Sequence, residues 1–135
     1  MSANQEQIEA TSEALVNHIF NGGTLGECFG VNTEQLEAVY ALAYGFVQSE
    51  KYDKAIPLLK FLTIYDHMEP RWFYALGVAL QKQGKYREAL IPYSAATLLN
   101  CYDPRPQAQA GYCLAALGMD EEAKAALEGA QMVVS

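Results

Sequence analysis

The side chains that could carry covalent or metal chemistry are few here, and their spacing scatters them. His18 and His67 fall in different elements, with no acidic or cysteine partner at metal-ligand spacing. Cys28, Cys101 and Cys113 are odd in number and include no C-x-x-C pair, so neither a disulfide framework nor a zinc knuckle is indicated. Buried or idle thiols in a reducing compartment are expected instead. The run "NGGTLGE" contains glycines but lacks the lysine and the length of a phosphate-binding loop, and it reads as a helix break. "EQIE" and "DEEAK" are charged helix starts, where acids meet the positive end of the dipole. His18 is expected at the surface or at an interface. No enzyme, cofactor or metal site is expected.

What the spacing does concentrate is apolar contact with a wet edge. Tyr40, Tyr44 and Val47 run at i, i+4, i+7 along one helical face, and Tyr74 and Val78 return 34 residues later. Tyr112 repeats the place of Tyr44 and Val78. A tyrosine ring offers apolar area while its hydroxyl stays hydrated, which suits a binding surface. Phe61 and Tyr65 are expected to border the same surface, and Arg71, Arg105 and Gln109 to add polar groups at its edge. Two readings stand. The stripe packs against the N-terminal helix or a second subunit, or it lines a groove for an extended or helical peptide. Its return over three repeats favours the groove.

Such a stripe needs helices to present it, and the repeat supplies them. "KYDKAIPLL" at Lys51 returns as "KYREALIPY" at Lys85. At the same offset Gly77 falls on Gly111, Gly84 on Gly118, and Ala55 on Ala89 and Ala123. A 34-residue period with this signature is that of the tetratricopeptide (TPR) repeat. The expected fold is all-α: three tandem helix hairpins over 33–135, with units near 36–69, 70–103 and 104–135. They curl into a right-handed superhelix whose first helices line a concave groove.

Gly77 and Gly111 let the paired helix approach, and Gly84 and Gly118 suit a left-handed helix end. Glu50 stands at that place in the first repeat, so its turn is expected to be built differently. Pro70 and Pro104 are expected to open their helices. Pro57 is expected near a first turn, and Pro92 to bend its helix. The N-terminal region, 1–32, is expected to hold a helix over 5–20 with Ile8, Leu15 and Ile19 on its apolar face. Gly22 and Gly23 stop that helix. A short helix follows, opened by Thr24 with Glu27, and Asn32 or Thr33 caps the first repeat.

The net charge of −7 argues against nucleic acid or an anionic membrane as partner. No run of apolar residues reaches membrane-spanning length, and the start "MSANQEQIEA" has no signal-peptide pattern, so a cytosolic protein is expected.

The stretch from "NGGTLGECFGVNTEQLEAVYALAYGFVQSEKYDKAIPLL" through "RWFYALGVALQKQGKYREALIPYSAATLLNCYDPRPQAQAGYCLAALG" resembles the class II, or translocator, chaperones of bacterial type III secretion. The similarity covers roughly 15–130. It rests on "GGTL" ahead of the repeats, on "VYALAYGFVQSEKY", and on Asp103-Pro104-Arg105 opening the third repeat. The resemblance implies a bacterial cytoplasmic chaperone that holds hydrophobic translocators before export. A proline- and leucine-containing client segment would lie extended in the groove. It implies homodimer formation through the N-terminal helices, with Ile8, Leu15 and Ile19 as interface residues, and for some members a transcriptional activator as partner. Members commonly continue with another C-terminal helix. This sequence stops at "QMVVS", so Leu127 and Val133 are expected to lack that cover. The Lys, Arg and Asn of carboxylate-clamp TPR domains are absent from the inner positions. A general TPR adaptor and a chaperone of needle or filament subunits are the alternatives.

Overall fold

Local chemistry explains where the helices begin. Asn32 forms a reciprocal box with Gln35: its side chain accepts from Gln35 N at 2.8 Å, and Gln35 Oε1 accepts from Asn32 N at 3.0 Å. That box starts α3 (Thr33–Gln48). Thr24 Oγ1 accepts from Glu27 N at 3.2 Å and starts the short α2 (Leu25–Cys28), behind the N-terminal α1 (Ser2–Phe20). The remaining helices are α4 (Tyr52–Tyr65), α5 (Pro70–Lys82), α6 (Tyr86–Leu99), α7 (Arg105–Ala116) and α8 (Asp120–Val134). Pro70 begins α5 as expected, but Pro104 sits one place earlier, at the cap of α7, and Pro106 takes the first turn. The computed structural model describes residues 2–134, apart from the side chains of 2–4, 8, 9, 11, 12, 19 and 134. No strand occurs among the described residues.

The helices pair as hairpins, α3 with α4, α5 with α6 and α7 with α8, and each hairpin packs on the next through α4 on α5 and α6 on α7. Where hairpin partners cross, Ala43, Ala55 and Ala89 are fully buried and Ala123 nearly so. Gly77 is needed there. A Cβ on it would lie 2.5 Å from the Tyr93 ring, which is itself buried and donates from its hydroxyl to Gln81 Oε1 at 2.6 Å. Burial pushes the Tyr93 phenol far above its ordinary range. A Cβ on Gly111 would lie 2.8 Å from Leu127.

All three hairpin turns share one construction, contrary to the expectation for the first. Gly84 and Gly118 sit at φ 79°, and Glu50 adopts φ 61° in their place. Each is followed by the same closing bond: Lys51 N to Phe46 O at 2.8 Å, Lys85 N to Leu80 O at 3.0 Å and Met119 N to Leu114 O at 2.9 Å. The turn geometry is therefore imposed by packing of the hairpin, and Glu50 bears a left-handed conformation that costs a non-glycine residue about 1–2 kcal/mol. Pro57 lies past the first turn of α4, and Pro92 lies buried within α6; both helices continue through them.

At the N-terminal end α1 packs on α2. His18, expected at the surface or an interface, is half-buried in this joint. Its Nε2 lies 2.9 Å from Thr24 O and 3.4 Å from Glu27 Oε2, and its ring covers Gly23.

Candidate functional site

The first helices of the first two hairpins turn their tyrosines toward one hollow of about 510 Å³. Tyr40, Tyr44 and Val47 come from α3, and Arg71, Tyr74 and Val78 from α5. Arg105 and Asp103 close it on the third-repeat side, and Ala96 of α6 and Asn100, the cap that ends α6, reach it as well. Among the described residues, none of α1 lines it. Tyr44 is half exposed, while Tyr40 and Tyr74 are partly buried. Tyr40 leans on the buried Trp72 with ring centres 4.8 Å apart, and Tyr44 stands 6.0 Å from Tyr40. The rings are thus fixed at their backs and open at their fronts. Burial raises the Tyr40 phenol, and the nearby Arg71 charge partly opposes it.

The two arginines perform the same task one repeat apart. Arg71 lies over Tyr40 at 5.6 Å and over Trp72 at 4.9 Å, and Arg105 lies over Tyr74 at 5.0 Å. Each is anchored on acids: Arg71 on Glu37 and Glu69, Arg105 on both oxygens of Asp103 at 2.8 to 3.2 Å. Hydrogen bonds to Glu37, then to Glu69, push the Arg71 guanidinium further up, and Asp103 does the same for Arg105. In return the Arg105 guanidinium holds the Asp103 carboxyl below the usual carboxylate range. Each guanidinium therefore clips a tyrosine of the preceding repeat in place. Sequence reasoning missed Glu37, Trp72 and Asn100. A usable signal existed for one of them, since Glu37 lies 34 residues before Arg71.

Other expected residues fall elsewhere. Phe61 and Tyr65 do not line the hollow. Their rings pack together at 4.4 Å and Tyr65 meets Phe29 at 6.4 Å, so they seat α2 against α4. The reason is that they sit on a second helix, whose exposed face turns away from the inner surface. Tyr112 lines a second hollow of about 450 Å³ between α7 and α8, together with Ala108, Leu127 and Ala130. Arg105 borders both hollows. Gln109, half-buried on α7, lines neither. Leu127 is partly buried against Gly111, and Val133 is exposed. Of the residues expected at a dimer interface, Leu15 is half-buried, and Ile8 and Ile19 lie outside the described residues.

Cys28 and Cys101 are exposed, and Cys113 is buried, which raises its thiol. Among the described residues, no three His, Cys, Asp or Glu side chains gather as a metal site, and no helix is long and apolar enough to cross a membrane.

The tetratricopeptide repeat family matches residues 36–68 and 73–100. Low calcium response locus protein H of Yersinia pestis is 31% identical over 134 residues, 97% of this chain and 80% of that protein. The Yersinia enterocolitica type III secretion translocator chaperone SycD superposes with a TM-score of 0.79 at 32% identity, covering 84% of each chain. The chain belongs to the translocator chaperones of type III secretion. SycD has also been solved with a peptide of the translocator YopD bound, and that structure superposes with a TM-score of 0.76 at 32% identity, over 78% of this chain and 80% of that one. The structural likeness thus covers 78 to 84% of this chain, and the sequence match extends over 97% of it.

Proposed function

We propose that the tyrosine-lined hollow receives an extended segment of a hydrophobic translocator and shields that client from premature association and degradation until export. The chain is a translocator chaperone of TPR type. The observation that carries the assignment of the site is the row Tyr40, Tyr44, Val47, Tyr74 and Val78 in one open hollow, backed by Trp72 and clipped by two arginines. The peptide-bound relative supports it, since that chaperone holds a translocator segment on the same fold.

The mechanism is apolar capture without chemistry. A client proline or leucine entering the hollow removes ring faces from water, and each buried anchor contributes roughly 1.5–3 kcal/mol. Ordering a floppy segment costs several kcal/mol in return, so a short peptide binds on the order of micromolar. Asn100 Oδ1 already accepts from Tyr102 N at 3.2 Å, which leaves its amide donors for a client carbonyl. Arg71 engages its acids through all three guanidinium nitrogens and serves as a wall. Arg105 bonds Asp103 through Nε and one terminal nitrogen and keeps the other for a client carbonyl. Tight retention needs further client surface.

We place this activity in the bacterial cytoplasm, in a homodimer joined through α1, with a transcriptional activator as a second partner once the client has left. Val16 and Phe20 are exposed on α1, which supports an association role for that helix. Co-expression with each candidate client decides between the readings. A translocator that becomes soluble only with this chain supports the proposal. Solubilisation of a needle or filament subunit instead, or of neither, replaces it with one of the alternatives.

A further inference from the structure

The N-terminal helix is attached to the repeats through a single joint. α1 packs on α2, and α2 packs on α4; among the described residues no comparable packing joins α1 to a hairpin helix. α2 itself is closely seated. Phe29 meets the Tyr65 ring at 6.4 Å, and a Cβ on Gly26 would stand 3.0 Å from Tyr65 O. The direction of α1 is therefore decided where it meets α2.

His18 makes that joint twice. Its carbonyl accepts from Gly23 N at 2.8 Å, with Gly22 at φ 85°, so α1 ends in the same construction as the hairpin turns. Its ring crosses the same corner, with Nε2 2.9 Å from Thr24 O and 3.4 Å from Glu27 Oε2. Both neighbours are acceptors, so Nε2 carries the hydrogen and donates. A Cβ on Gly23 would run into the ring. Thr24 is buried and caps α2 through its hydroxyl, so the ring grips a fixed point.

Helical spacing decides what lies on the other side of α1. At about 100° per residue, His18 stands about 200° from both Val16 and Phe20. Those two are 50 and 84% exposed. Leu15, half-buried, falls on the same side as His18, one turn earlier. α1 is thus gripped by one face and bares apolar side chains on the opposite one.

We infer that His18 is a positioning residue. By donating to Thr24 O and Glu27 it fixes α1 on the repeat array, and with it the direction in which Val16 and Phe20 are presented. Its effect on self-association rests on the reading of α1 as the association helix. That effect acts through the direction of α1, because the ring faces away from the bared side chains.

Amide hydrogen exchange of the full chain tests this, read in a Phe20→Ser background so that association does not contribute. His18→Leu keeps the bulk and removes the donor. Amides of residues 13–20 are then expected to exchange at least about fivefold faster, while those of α5 and α6 stay unchanged. Gly23→Ala, which displaces the ring, is expected to do the same. His18→Gln puts an amide N–H where Nε2 stands and is expected to restore slow exchange. In the otherwise unchanged chain, His18→Leu is expected to weaken self-association in sedimentation by about fivefold or more. Unchanged exchange in His18→Leu, equally fast exchange in His18→Gln, or acceleration throughout the chain overturns the inference. Faster exchange in α1 with association unaltered by both His18→Leu and Phe20→Ser upholds the grip on α1 and removes instead the reading of α1 as the association helix.

Discussion

The two hollows that meet at Arg105 are one design executed twice. Arg105 in the second stands where Arg71 stands in the first, Tyr112 where Val78 stands, and Ala130 where Ala96 stands. Two shared register positions differ, Tyr74 against Ala108 and Val78 against Tyr112, and the first hollow adds Tyr40, Tyr44 and Val47 from α3. In the first, a guanidinium presses on Tyr40 and another on Tyr74. In the second, Ala108 offers no ring to press on. The comparison teaches that the repeat supplies the space, whereas the aromatic row backed by Trp72 and clipped by arginines belongs to the first hollow alone. Affinity should accordingly concentrate between α3 and α5.

The harshest way to break the comparison is to remove the array both hollows share. Ala89→Glu puts a charge at a fully buried helix crossing, and a loss above about 4 kcal/mol is expected, enough to abolish cooperative melting in a circular dichroism scan. An unchanged melting temperature would show that the helix register is misplaced. Next, the hollows can be separated by function. Tyr40→Ala with Tyr44→Ala should cost a client peptide about 2–4 kcal/mol in calorimetric titration while helical content persists, whereas Tyr112→Ala should cost under about 1 kcal/mol. Equal losses would erase the distinction.

The supporting crossings differ too. Gly77→Ala drives a Cβ into the buried Tyr93 ring and should cost about 2–3 kcal/mol in urea denaturation, against about 1 kcal/mol for Gly111→Ala, where flexible Leu127 can yield. A change in the opposite direction is expected at the first turn: Glu50→Gly should raise stability by about 0.5–1 kcal/mol by relieving its left-handed backbone. The smallest effect concerns Asp103. Its folded carboxyl ionises below the unfolded value, so the contribution is complete above about pH 4 and is lost as pH falls through the folded value. Asp103→Asn should remove that acid-sensitive part, under about 1 kcal/mol, from stability measured between about pH 5 and 3.

Much of the inner surface was legible because helical periodicity and the 34-residue offset act together. Tyr40, Tyr44, Val47, Tyr74 and Val78 share a face by spacing alone, and the hairpins then had to bring the two sets side by side. Phe61 and Tyr65 were legible as an aromatic pair but not as to destination. On a second helix, exposed positions face outward, and α2, whose docking no repeat describes, claims them. The turn at Glu50 misled for a related reason. Residue preference favours glycine there, but the hairpin's closing bonds and core outweigh a local cost of about 1–2 kcal/mol. The arginine clips were hidden because the rings beneath them, and Glu37 beside Arg71, are brought in by stacking.

Helix identity, the repeat boundaries' periodic markers and the inward tyrosine stripe were dictated by the amino-acid order, since they depend on backbone hydrogen bonding and side-chain spacing within a few turns. Which residues close the hollow, which ring lies under which guanidinium, and where the aromatic row stops depended on tertiary structure. Those features join residues about one repeat apart, and their meeting is set by how tightly successive hairpins pack and curl, a property no single segment carries.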